Sequence, residues 1–91
     1  MIVARKFIIS GLVQGVSFRF FTQRAAARHQ VRGYVMNLKD GRVEALAEGD
    51  EKSVKEFADD LATGPHYSRV EDVEEIVLEP SGLYSAFRIE R

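Results

Sequence analysis

The thirteen residues between Asp50 and Gly64 constrain the chain more than any others. Val54, Phe57, Ala58, Leu61 and Ala62 recur at i, i+3, i+4, i+7 and i+8, the spacing that lines one face of an α-helix. Asp50 is placed to cap the first turn by accepting from a free amide. Gly64 followed by Pro65 ends the helix, because glycine takes the left-handed conformation that closes the last turn and proline cannot continue it. A helix with a single apolar stripe must bury it against another element. The preceding segment supplies one. Residues 31–38 and 42–48 are apolar-rich runs joined through Lys39-Asp40-Gly41, and Asp-Gly between such runs predicts a β-hairpin. In the second run Val43, Ala45 and Ala47 alternate with Arg42, Glu44 and Glu48, which gives a strand with one buried face.

The remaining elements follow the same logic. Residues 5–13 read as a first, central strand with Phe7, Ile9, Gly11 and Val13 on one face. Residues 19–30, with Phe20, Phe21, Ala25, Ala26 and Ala27 among Gln23, Arg24 and Arg28, fit an amphipathic helix. Residues 69–79 read as a strand whose alternation slips, which predicts a bulge. After a turn at Pro80-Ser81-Gly82, Phe87 and Ile89 alternate with Arg88 and Glu90 in a short final strand. The order is βαββαβ plus that terminal strand. It predicts a ferredoxin-like α+β sandwich in one domain over residues 1–91: an antiparallel sheet of four to five strands with two helices on one face.

The chemistry gathers where the first strand meets the first helix, at Gly11-Leu12-Val13-Gln14-Gly15-Val16-Ser17-Phe18-Arg19. Gly15 lets the backbone take positive φ and approach a ligand closely. Successive N–H groups can then converge as an anion-binding nest, reinforced by the positive end of the following helix. Arg19 adds a planar guanidinium able to give a phosphoryl group two parallel hydrogen bonds. Charge by itself reads as two solvated faces, but it is compatible with the same ligand: residues 1–46 carry eight basic and two acidic residues, and residues 47–91 five basic and twelve acidic. The positive half contains the proposed cradle and would draw in a small anion.

Other sites are disfavoured by residue type. The chain has no cysteine, which removes disulfides and thiolate nucleophiles and suits a reducing, cytoplasmic setting. Gly11 and Gly15 match neither a dinucleotide fingerprint nor a nucleotide P-loop. His29 and His66 lack metal-ligand spacing and are expected at the surface. Arg5 and Lys6 interrupt the first apolar run before it reaches signal or membrane length. Arg32-Gly33-Tyr34 imitates the opening of an RNA-recognition signature, but the match fails at Val35-Met36-Asn37. A silent ligand-binding module of the same architecture would not need both Arg19 and Asn37.

The nine residues 11–19 match the G-x-V-Q-G-V-x-F-R signature of the acylphosphatases at every fixed position, and Gly33-Tyr34-Val35-Met36-Asn37, Gly41, Val43 and Gly49 match the family's second signature. The chain therefore resembles that family of small hydrolases of the carboxyl–phosphate bond along essentially its whole length. The resemblance implies that Arg19 and the loop amides of Gln14, Gly15, Val16, Ser17, Phe18 and Arg19 hold the phosphate, and that Asn37 orients the attacking water. It implies a small acyl phosphate as substrate, inorganic phosphate as product and competitive inhibitor, and neither metal nor cofactor. The chain is further expected to be a cytoplasmic monomer without nucleic-acid or membrane partners. Phe18, Phe20 and Phe21 are expected in the core or the cradle wall, and Gln14 is expected to brace the loop through its side chain while only its N–H faces the ligand.

Overall fold

Alternation along the first strand divides the molecule into a helix-covered and an open side. In the computed structural model, which describes residues 1–91, the elements are β1 (Ile2–Leu12), α1 (Phe18–His29), β2 (Arg32–Asn37), β3 (Val43–Asp50), α2 (Glu51–Thr63), β4 (Arg69–Leu78) and β5 (Phe87–Glu90). Val3, Phe7 and Ile9 of β1 are buried with Val35 of β2 and Val43, Ala45 and Ala47 of β3. Both helices cover this face. Phe18, Ala25 and Ala26 of α1 and Val54, Phe57 and Leu61 of α2 complete the core, and Phe57 lies with its ring centroid 6.1 Å from Phe7 and 5.7 Å from Phe87.

The strands lie in the order β4-β1-β3-β2-β5. β1 pairs antiparallel with both β3 and β4, and β2 pairs antiparallel with β3. This is the expected ferredoxin-like sandwich, with one correction. The sheet is mixed, because β5 runs parallel to β2. The cause is topological: the chain leaves β4 at one edge, crosses the end of the sheet through residues 79–86, and must then run opposite to β4, which is the direction of β2. Glu48, only 3% exposed, holds the crossing segment. One of its carboxylate oxygens accepts from the Ser81 amide at 2.9 Å and the Ser81 hydroxyl at 2.7 Å, and the other from the Gly82 amide at 3.1 Å.

Local signals placed α2 well. The Asp50 carboxylate accepts from the Lys52 amide at 3.2 Å, and Gly64, at φ 71°, donates its N–H to the Asp60 carbonyl at 2.9 Å. The bulge expected in β4 is also present: Ser10 faces Asp72 while Gly11 faces Val70, leaving Glu71 as the extra residue. At Gly11 the two backbones pinch together, and a Cβ there would sit 2.1 Å from the Arg69 carbonyl oxygen. β1 begins at Ile2 rather than residue 5, since β3 runs on through Gly49-Asp50 and gives residues 2–4 partners. His29 departs from expectation too. Its side chain is largely buried between the helices, with Nε2 2.7 Å from Asp60 Oδ2, to which the Arg28 guanidinium also donates at 2.8 Å.

Candidate active site

β1 and β2 flank β3 and run in the same direction, so both deliver their C-terminal ends to one end of the sheet. That end is opposite the Glu48 clamp. There the loop that leaves β1 meets Asn37, the last residue of β2, around a cavity of about 240 Å³ lined by Val13, Gln14, Gly15, Ser17, Phe18, Arg19, Phe20 and Asn37. Two larger clefts, about 550 Å³ along α1 and β5 and about 300 Å³ between β1 and α2, lie elsewhere. Size does not select the site; chemistry does.

Two left-handed residues shape the loop. Gly15 sits at φ 75° with open space where a Cβ would be, so glycine is required there by conformation and not by crowding. Ser17 takes φ 63° and ψ 25°, which costs a non-glycine residue about 1–2 kcal/mol. Strain of this kind persists where the surroundings fix it, and it clusters at functional sites. Ser17 occupies the N-cap position of α1, yet its hydroxyl caps nothing. The first intrahelical acceptor is the Ser17 carbonyl, which takes the Phe21 amide at 3.1 Å. The amides of Phe18, Arg19 and Phe20 therefore have no partner within the helix, and none of the turn and loop hydrogen bonds claims them or those of Gly15, Val16 and Ser17. They are free donors at the positive end of a helix.

The side chains divide the work. The Gln14 carboxamide nitrogen donates to the carbonyls of Leu38 at 2.7 Å and Arg42 at 2.9 Å, tying the loop to the β2–β3 hairpin. Arg19 enters none of the molecule's ion pairs. No carboxylate lines the cavity, so the guanidinium is its only formal charge. Asn37 contributes a buried Oδ1 with no hydrogen-bond partner, a cost of roughly 1–3 kcal/mol for a polar group taken from water.

Six of the seven residues expected from sequence line this cavity. The seventh, Val16, turns its side chain against the core and leaves only its backbone to the loop. Phe18 forms the buried floor and packs on Phe21 at 5.9 Å, while Phe20 stands 65% exposed at the mouth. Val13 lines the cavity as well, from the core face on which the alternation of the first strand puts it.

The acylphosphatase family model matches residues 5–89. An acylphosphatase of Caldanaerobacter subterraneus subsp. tengcongensis is 47% identical over 81 residues, spanning 89% of this chain and 90% of its own. One from Moorella thermoacetica is 43% identical over 88 residues, spanning 97% and 94%. The crystal structure of acylphosphatase from Bacillus subtilis superimposes with a TM-score of 0.94 at 35% identity, with both chains covered completely. Sequence and fold thus agree over the full span, and the chain belongs to the acylphosphatase family.

Proposed function

We propose that Arg19 and the amides of residues 14–19 grip the phosphoryl group of an acyl phosphate while Asn37 positions the water that attacks it. Family membership makes the chain a hydrolase of the carboxyl–phosphate anhydride bond, releasing a carboxylate and inorganic phosphate. The observation that carries the residue assignment is that one small cavity is lined by residues with unclaimed amides, by an arginine outside every ion pair and by Asn37, whose buried carboxamide oxygen has no partner.

The chemistry suits this donor set. Phosphoryl transfer passes through a loose transition state with charge spread over three equatorial oxygens, and fixed N–H donors with one guanidinium meet that charge without reorganising. The leaving group is a carboxylate whose conjugate acid has a pKa of about 4, so it departs without a general acid. Asn37 Oδ1 accepts a hydrogen bond from the water and aims its lone pair at phosphorus. A neutral amide is too weak a base to keep the proton. As the new P–O bond forms, the old one breaks with its electron pair on the carboxylate, and the water's proton passes to a phosphoryl oxygen.

The proposal extends to one domain over residues 1–91 acting as a cytoplasmic monomer, with inorganic phosphate as product and competitive inhibitor. The absence of cysteine suits a reducing compartment. No helix is long and apolar enough to cross a membrane. The test is hydrolysis of benzoyl phosphate in excess chelator by the intact protein and by Arg19→Ala. The intact protein is expected to turn over, and the variant to lose at least about a hundredfold in kcat/KM and to resist inhibition by phosphate. Unaltered phosphate inhibition in Arg19→Ala would reject the assignment.

A further inference from the structure

Phe20 is the one phenylalanine the fold does not use. Phe7, Phe18 and Phe57 are buried, and Phe21 and Phe87 lie against Phe18 and Phe57. Phe20 is 65% exposed, pairs with no other ring and stands outside the core cluster. A lone exposed apolar residue needs no explanation. This one lines the mouth of the cavity and follows Arg19 directly in the chain. An acyl phosphate anchored by its phosphoryl end must direct its acyl group outward, past that mouth. The other apolar side chains of the lining, Val13 and Phe18, are each 1% exposed and form the floor. Phe20 is thus the apolar surface that an emerging acyl group meets.

We infer that Phe20 is the acyl-facing wall of the site and that it biases the enzyme towards acyl phosphates with a flat apolar acyl group, aromatic above all, over short ones such as acetyl phosphate. The inference rests on the phosphate being held as proposed above. Ring-on-ring contact favours aryl substrates by an amount that corresponds to roughly three- to tenfold in kcat/KM. A small acyl group barely reaches the ring and gains little. Neither does inorganic phosphate, which has no acyl group.

The experiment compares kcat/KM on benzoyl phosphate and acetyl phosphate for the intact protein, Phe20→Ala and Phe20→Tyr, together with calorimetric titration of benzylphosphonate, methylphosphonate and inorganic phosphate. Phe20→Ala is expected to lower the benzoyl-to-acetyl ratio and the benzyl-to-methyl affinity ratio by about three- to tenfold. Phe20→Tyr should keep both, since the ring remains, and phosphate affinity should be the same in all three. Ratios in Phe20→Ala equal to those of the intact protein would overturn the inference while leaving the proposed function standing. So would an equal loss for both substrates accompanied by weaker phosphate binding, which would make Phe20 a support of the cradle. If the intact protein turned over neither substrate, the proposed function would fall and this inference with it.

Discussion

Asn37 holds a carboxamide oxygen that nothing in the protein satisfies. An arrangement that costs stability calls for an explanation, and the water-positioning role proposed for Asn37 would supply one. The expected signature is a separation of activity from stability. Asn37→Ala should lower kcat on benzoyl phosphate by about a hundredfold, the scale of losing one positioned polar group, with phosphate inhibition largely kept. Its thermal midpoint should be unchanged or higher, because a buried unpaired acceptor has gone. A variant with ordinary kcat, or one that loses both activity and fold, would remove the water-positioning role. Arg19 differs from Asn37 in that its part could be suspected from residue type alone, since a guanidinium beside a glycine-bearing turn is suited to phosphate. The orphaned oxygen of Asn37 became visible only once burial was known.

Among the elements, the loop after β1 and the hairpin after β2 must stay in register for Arg19 and Asn37 to act on one molecule. Gln14 supplies that tie through its two hydrogen bonds to Leu38 and Arg42 carbonyls. Gln14→Ala is expected to lower kcat several-fold more than it weakens phosphate binding, because the cradle amides remain while Asn37 loses its fixed distance to them. Equal loss of both would mean that the side chain shapes the cradle itself. Gly15→Ala should act the other way. A Cβ at φ 75° costs about 1–2 kcal/mol and turns the amides from their common focus, so phosphate inhibition should weaken first, readable as a raised inhibition constant. Element boundaries were legible wherever a local signal set them, as with Asp50 and Gly64 at the ends of α2. The role of His29 was not, because Asp60, its partner, lies 31 residues further along the chain and only the packing of α1 on α2 brings them together.

Across the whole molecule, the sheet has a cavity end and a closing end. At the closing end, burial pushes the Glu48 carboxyl up, but the Ser81 hydroxyl and amide and the Gly82 amide outweigh it and hold it below the usual glutamate range. A lowered value in the folded state means that the charged clamp stabilises fully above the unfolded value of about 4.3 and is lost as pH falls through the lower folded one. Glu48→Gln is therefore expected to unfold with about 1–3 kcal/mol less free energy near neutrality, a deficit that shrinks in acid. Denaturant titrations at several pH values would show this. A deficit independent of pH would rule out the charge as its source. The cavity lies at the other end of β3, so the clamp should set stability without changing kcat/KM.

The sequence alone determined the elements, their order and the glycine-bearing stretch between the first strand and the first helix, because helix period, strand alternation, caps and turn glycines act over a few neighbouring residues. Tertiary structure decided the rest: the parallel pairing of β5, the burial of His29 and Glu48, and the meeting of Asn37 with a loop some twenty residues earlier. The reason is that a crossing direction, a shielded polar atom or a shared cavity depends on which distant segments exclude water together, and no local pattern carries that.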